Sequence, residues 1–191
     1  MVRAAYLIGT LVLTVGFGPA GAAQNKTQPA PKPERATFRV LGLFSPDRET
    51  DLREALKAVP DVTWVGVNFA DAELTVEFVP AKAFPGTKPE QIAERFDQKL
   101  RDATQHTFGV KPRRTVPRDK LKEVVIPAPI LDCKACCLAA YEAVAKIDGV
   151  EQATATFKDG GKVTALIDPA KTDRAKLEDA LRNAGVSIPK M

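Results

Sequence analysis

The segment "EALKAVPDV" at Glu54 to Val62 recurs as "EAVAKIDGV" at Glu142 to Val150, an offset of 88 residues that also carries Phe69 onto Phe157 and Asp71 onto Asp159. Self-similarity across several segments constrains the fold strongly, because each copy then has to be one complete supersecondary unit. Both copies show one order of patterns: an alternating apolar run, a helical run, two alternating runs joined by a polar turn, a second helical run and a short last strand. The sequence therefore predicts an α+β protein of two tandem βαββαβ units, over about residues 37–110 and 120–191.

In the first unit the strands are read at "ATFRVLGLF", "TWVGVNF", "LTVEFV" and "HTFGV", and the helices at "DRETDLREALKAV" and "KPEQIAERFDQKLRDA". Leu52, Ala55, Leu56 and Val59 recur at helical spacing and predict one buried face, with Arg53, Glu54 and Lys57 turned outward. Pro46 after Ser45 marks the start of that helix, and Pro60 its end. The second unit reads "KLKEVVI", a cysteine loop, a helix to about Ile147, "VEQATATF", "KVTALI", "DRAKLEDALRNA" and "VSI". Asp159-Gly160-Gly161 tolerate the positive φ of a hairpin turn. Thr172 is expected to cap the last helix and Gly185 to end it, with Leu177, Ala180, Leu181 and Ala184 as its buried stripe.

Ahead of the first unit, Arg3 precedes the apolar run "AAYLIGTLVLTVGFG" and the small residues of "PAGAAQ", the layout of a secretory signal over residues 1–23 with cleavage after Ala22 or Ala23. The run is about fifteen residues, short of the roughly 20 that span a bilayer, so no stable membrane insertion is expected after cleavage. Residues 24–36 read as a polar, proline-rich tether, and residues 111–119 as a solvated basic linker. The stretch "KPRRTVPRDKLK" carries six basic residues against one acidic one, yet no aromatic residues interleave the charges and an exported chain seldom meets nucleic acid. Nucleic acid is thus excluded as partner. The formal net charge of +4 allows at most a loose attraction to anionic lipid surfaces. A secreted or periplasmic location follows.

The chain has three cysteines, all within "ILDCKACCLAAYEAV": Cys133, Cys136 and Cys137. Clustered thiols suggest a metal site, a redox pair or a local disulfide. Two thiols separated by two residues, on a loop entering a helix, can converge on one ion, and the helix N-terminus favours the thiolate. Sulfur donors without a nearby histidine suit soft ions such as Cu(I) or Hg(II), with Zn(II) a harder competitor that needs about four ligands. Adjacent positions on a helix point about 100° apart, so Cys137 ranks below Cys133 and Cys136 as a ligand. His106, the single histidine, falls in the thiol-free unit and reads as a surface or strand residue.

The stretch "CKACCLAAYEAVAKIDGV" resembles the heavy-metal-associated domain family, whose pattern places Cys-x-x-Cys, apolar residues four and eight further on, and Gly-Val at thirteen and fourteen; Cys136 is followed here by Ala140, Val144, Gly149 and Val150. The closing segment is similar too, through Asp168-Pro169, Leu177, Leu181 and Gly185. The resemblance covers roughly residues 120–189 and implies a ferredoxin-like fold, a soft-metal site at Cys133 and Cys136, and a metal donor or acceptor protein as partner. Leu131 stands where the family has methionine, and Cys137 is an additional thiol. Stepping back 88 residues from Cys133 and Cys136 gives Ser45 and Arg48, so the first unit is a degenerate copy without ligands.

Together these readings predict an exported, non-enzymatic carrier or buffer for Cu(I), Hg(II) or a similar ion. A thiol-disulfide oxidoreductase is the enzyme alternative, since it also uses Cys-x-x-Cys at a helix start, but Asp132 replaces its usual aromatic residue. An interaction module holding a structural disulfide is the third reading.

Overall fold

A computed structural model describes residues 32–189. The expected signal, and the tether up to residue 31, lie outside the described residues. The first strand begins earlier than Thr37: β1 (Glu34–Leu41) pairs antiparallel with β3 (Glu73–Phe78) from Glu34 onward, which draws the end of the tether into the ladder. The first unit continues through α1 (Arg48–Leu56), β2 (Val62–Asn68), β3, a single turn α2 (Pro80–Ala83), α3 (Ile92–Ala103) and β4 (Gly109–Pro112). Its sheet has the order β2-β3-β1-β4, with Leu52, Leu56, Phe96 and Leu100 of the helices fully enclosed against it.

The second unit comprises β5 (Lys122–Pro127), α4 (Lys134–Ala145), β6 (Val150–Thr156), β7 (Lys162–Ile167) and α5 (Arg174–Asn183). The protein is α+β, with two antiparallel sheets. The second sheet has the order β5-β7-β6, the same as the first without its fourth strand. The expected strand "VSI" does not form a ladder, although Val186 and Ile188 are buried in the core. In β5, the Val125 carbonyl accepts from Arg174 Nη1 at 3.1 Å.

Several local expectations change for identifiable reasons. Asp173 caps α5 in place of Thr172, its carboxylate accepting from the Lys176 amide at 3.0 Å, while Thr172 is buried. Ala184 is exposed, because α5 closes at Asn183 and Gly185 turns away with φ +79°. Glu178 is buried in its stead, between Arg174 and Arg182 at 2.6 and 3.0 Å. His106 sits in an exposed turn before β4, with φ +64°, rather than in the strand. The basic segment after β4 is not solvated along its length: Arg113 pairs with Glu73, and Arg114 and Arg118 both pair with Asp71.

Candidate metal centre

The polypeptide leaves β5 through Pro127–Leu131 and enters α4 at Cys133. Leu131 is buried, so the loop is anchored from the core side. Cys133 is the N-cap residue, extended at φ −144° and ψ 162°, and its Sγ accepts the Cys136 amide at 3.2 Å. A sulfur so placed meets a helix N–H that has no partner within the helix, at the positive end of the helix dipole. The structure pairs Cys133 and Cys136 as a disulfide, with Cα atoms 5.2 Å apart.

Asp132 joins them. Its carboxylate and the two sulfurs lie within 4.8 Å of one another, and Asp132 Oδ1 is 3.2 Å from Cys136 Sγ. Sequence reasoning assigned no binding role to Asp132, and its oxygen is a hard donor poorly matched to a soft ion. Its adjacency to Cys133 was the only signal.

Cys137 is free, and the structure does not bring it into this group. It is 2% exposed and packs in the core of the second unit with Leu131, Ala140 and Tyr141. Burial pushes its thiol upward, and the Asp132 charge adds to that. Gly149 carries φ +88°, and a Cβ there would lie 2.6 Å from Lys171 Cβ, so glycine is required where the chain turns into β6.

Lys134, the residue after Cys133, reaches out to Asp47 of the first unit at 2.5 Å. The Lys134 ammonium, with the Ser45 hydroxyl, holds the Asp47 carboxyl down at about 2. The first unit's own positions are spent on other contacts. Ser45 donates to Asp47 at 2.5 Å, and Arg48 lies 4.4 Å over the Phe108 ring while donating to Asp51 at 2.6 Å. No sulfur stands in that loop.

No protein-family model matches this chain, and no curated protein does. Among solved structures it is similar to the CopZ metallochaperone, at 24% identity over 36% of this chain and 100% of that one, with a TM-score of 0.34. It is similar to oxidized MerP from Ralstonia metallidurans CH34 at 29% identity, over 37% of this chain and 99% of that one, TM-score 0.33. A third likeness, to the water-soluble region of the P-type ATPase CopA from Bacillus subtilis, spans 82% of this chain and 90% of that one at 21% identity and a TM-score of 0.33.

Proposed function

We propose that this protein is an exported carrier or buffer that binds one soft metal ion, Cu(I) foremost and Hg(II) or Zn(II) as competitors, between Cys133 and Cys136. The observation that carries this reading is the placement of both sulfurs at the start of α4, one at the N-cap and the other on the first turn, bridged by the Cys136 amide. Binding requires reduction: a donor thiol pair supplies two electrons and two protons to the disulfide, and both protons leave when the thiolates take the ion. Two thiolates leave the ion open to an incoming sulfur, so transfer to a partner protein can proceed by ligand exchange. The first unit, a degenerate copy without sulfur, binds no ion of its own.

Anaerobic reduction followed by titration with Cu(I), Hg(II) and Zn(II) tests this. One ion per chain is expected for the wild type. Tight binding should be abolished by Cys133→Ser or by Cys136→Ser and changed little by Cys137→Ser. Wild-type uptake no greater than that of the double Ser variant would refute the proposal.

The disulfide favours a second reading, in which the pair exchanges with thiols of other proteins. Catalysed reduction of a model disulfide substrate by the reduced chain, with no stoichiometric metal uptake, would establish that reading in place of the first.

A further inference from the structure

The loop Gly42–Arg48 occupies, 88 residues earlier, the position of the thiol loop Ile130–Cys136. Instead of ligands it carries a set of contacts to the second unit. The Gly42 amide donates to the Tyr141 hydroxyl of α4 at 2.7 Å in a buried bond. Phe44 is 4% exposed and belongs to the core of the second unit, its ring 5.8 Å from that of Tyr141. The Phe44 carbonyl accepts the Ala155 amide of β6 at 3.1 Å. Asp47 closes the row on Lys134. Behind the loop, Arg39 of β1 meets Glu151 of β6 at 2.5 Å, with side chains only 11% and 13% exposed, and Gln152 donates to the Phe69 carbonyl at 2.6 Å.

Between these attachments lies a cleft of about 600 Å³, walled by Phe44, Pro46, Phe69, Ala155 and Phe157 and by the first turn of α4 at Lys134 and Cys137. The free thiol thus lines the cleft at the junction of the two units. Cys133 and Cys136 are half-buried and do not line this cleft.

We propose that the first unit is a clamp on the thiol-bearing helix: its loop Gly42–Arg48 docks on α4 and β6, and opening of that junction controls access to Cys137 while leaving the Cys133–Cys136 site as it is. The clamp keeps a third sulfur out of reach of incoming thiols in an oxidising compartment, where it would otherwise be drawn into mixed disulfides. It also gives a task to a unit that carries no ligands of its own. The junction rests on geometry within the chain and is independent of the metal-binding reading, although the sulfur it protects gains its significance from that reading.

The disulfide-bonded, metal-free full-length chain provides the test, because Cys137 is then the one free thiol. Its sulfur displaces iodide from iodoacetamide, forming an S–C bond and releasing a proton, and the rate reports how often the junction opens. Arg39→Glu faces Glu151 with a like charge and is expected to raise the alkylation rate at least tenfold, as is Glu151→Arg. The double variant Arg39→Glu/Glu151→Arg should return the rate to within about threefold of wild type. In the single variants the amides of Leu74 and Val76, deep in the first unit, should keep their hydrogen-exchange protection. Single variants with wild-type alkylation rates would overturn the proposal. So would a double variant that fails to recover, since the Arg39–Glu151 pair would then not govern the labelling, or loss of protection at Leu74 and Val76 in step with Cys137 labelling, since the whole fold would then have opened instead of the junction. Because no metal enters, the result stands whether or not the ion titration succeeds.

Discussion

At the scale of single residues, the positions that matter are those whose backbone or polar groups have no substitute. Tyr141→Phe removes the acceptor of the buried Gly42 amide while keeping the ring, and leaving such a donor unmet costs about 1–3 kcal/mol. Thermal or urea unfolding of the variant should show that loss, with metal stoichiometry after reduction unchanged. Cys133 and Cys136 matter for the opposite reason. Neither fills the core as Cys137 does, so Cys133→Ser should leave stability of the reduced chain within about 0.5 kcal/mol, whereas Cys137→Ser places a hydroxyl in an apolar site and should cost about 1–3 kcal/mol. Comparing denaturation of the reduced Ser variants checks both signs.

At the scale of elements, α5 separates what a helical stripe predicts from what the helix ends allow. Leu177 and Leu181 are fully enclosed, and Leu177→Ala should cost about 2–5 kcal/mol through lost burial and the cavity left behind. Ala184 belongs to the same sequence stripe but lies beyond the last turn in solvent, so Ala184→Ser should be neutral within about 0.5 kcal/mol. Equal losses at the two positions in chemical denaturation would contradict the observed end of α5. The alternation of β6 and β7 was plain in the sequence because one face of each strand is buried, and period-two patterning records that directly. The expected strand "VSI" was a misreading, since two buried residues in a short terminal run read alike whether or not they join a ladder.

At the scale of the whole molecule, the two units behave as one body held by Phe44 and the ion pairs of the junction. Phe44→Ala should cost about 3–5 kcal/mol even though Phe44 comes from the unit opposite the core it fills. Differential scanning calorimetry is expected to show a single transition in the wild type and a lower one in the variant. Acid should act on the junction as well. Asp47 is held at about 2, against an ordinary 3.8, by Lys134 and then Ser45. Asp71 is also lowered: burial opposes the shift, but Arg118 and Arg114 outweigh it. A carboxyl depressed on folding stabilises the fold above its unfolded value and loses that contribution as pH falls through its folded one. Both groups therefore contribute fully at pH 5 to 7; the Asp47 contribution declines from about pH 4 toward pH 2, and that of Asp71 is likewise lost on acidification. A melting temperature that is flat over the upper range and falls over the lower one is expected, with the fall reduced in Asp47→Asn.

The sequence by itself determined the α+β class, the order of the main elements in each unit apart from the last strand expected in the second, the hairpin at Asp159 to Gly161 and the clustering of Cys133, Cys136 and Cys137 at the mouth of one helix. All of these follow from local signals: period, turn chemistry, capping residues and spacing along one chain. Only the tertiary structure decided that Asp132 stands with the two sulfurs and Cys137 apart from them. It alone showed that the basic segment is pinned to Asp71 and Glu73, and that Phe44 completes a core about 90 residues further along the chain. Those outcomes depend on which surfaces meet when the two units pack. A contact between residues far apart in sequence leaves no period or motif in either segment, because each of its partners is also an ordinary residue of its own element.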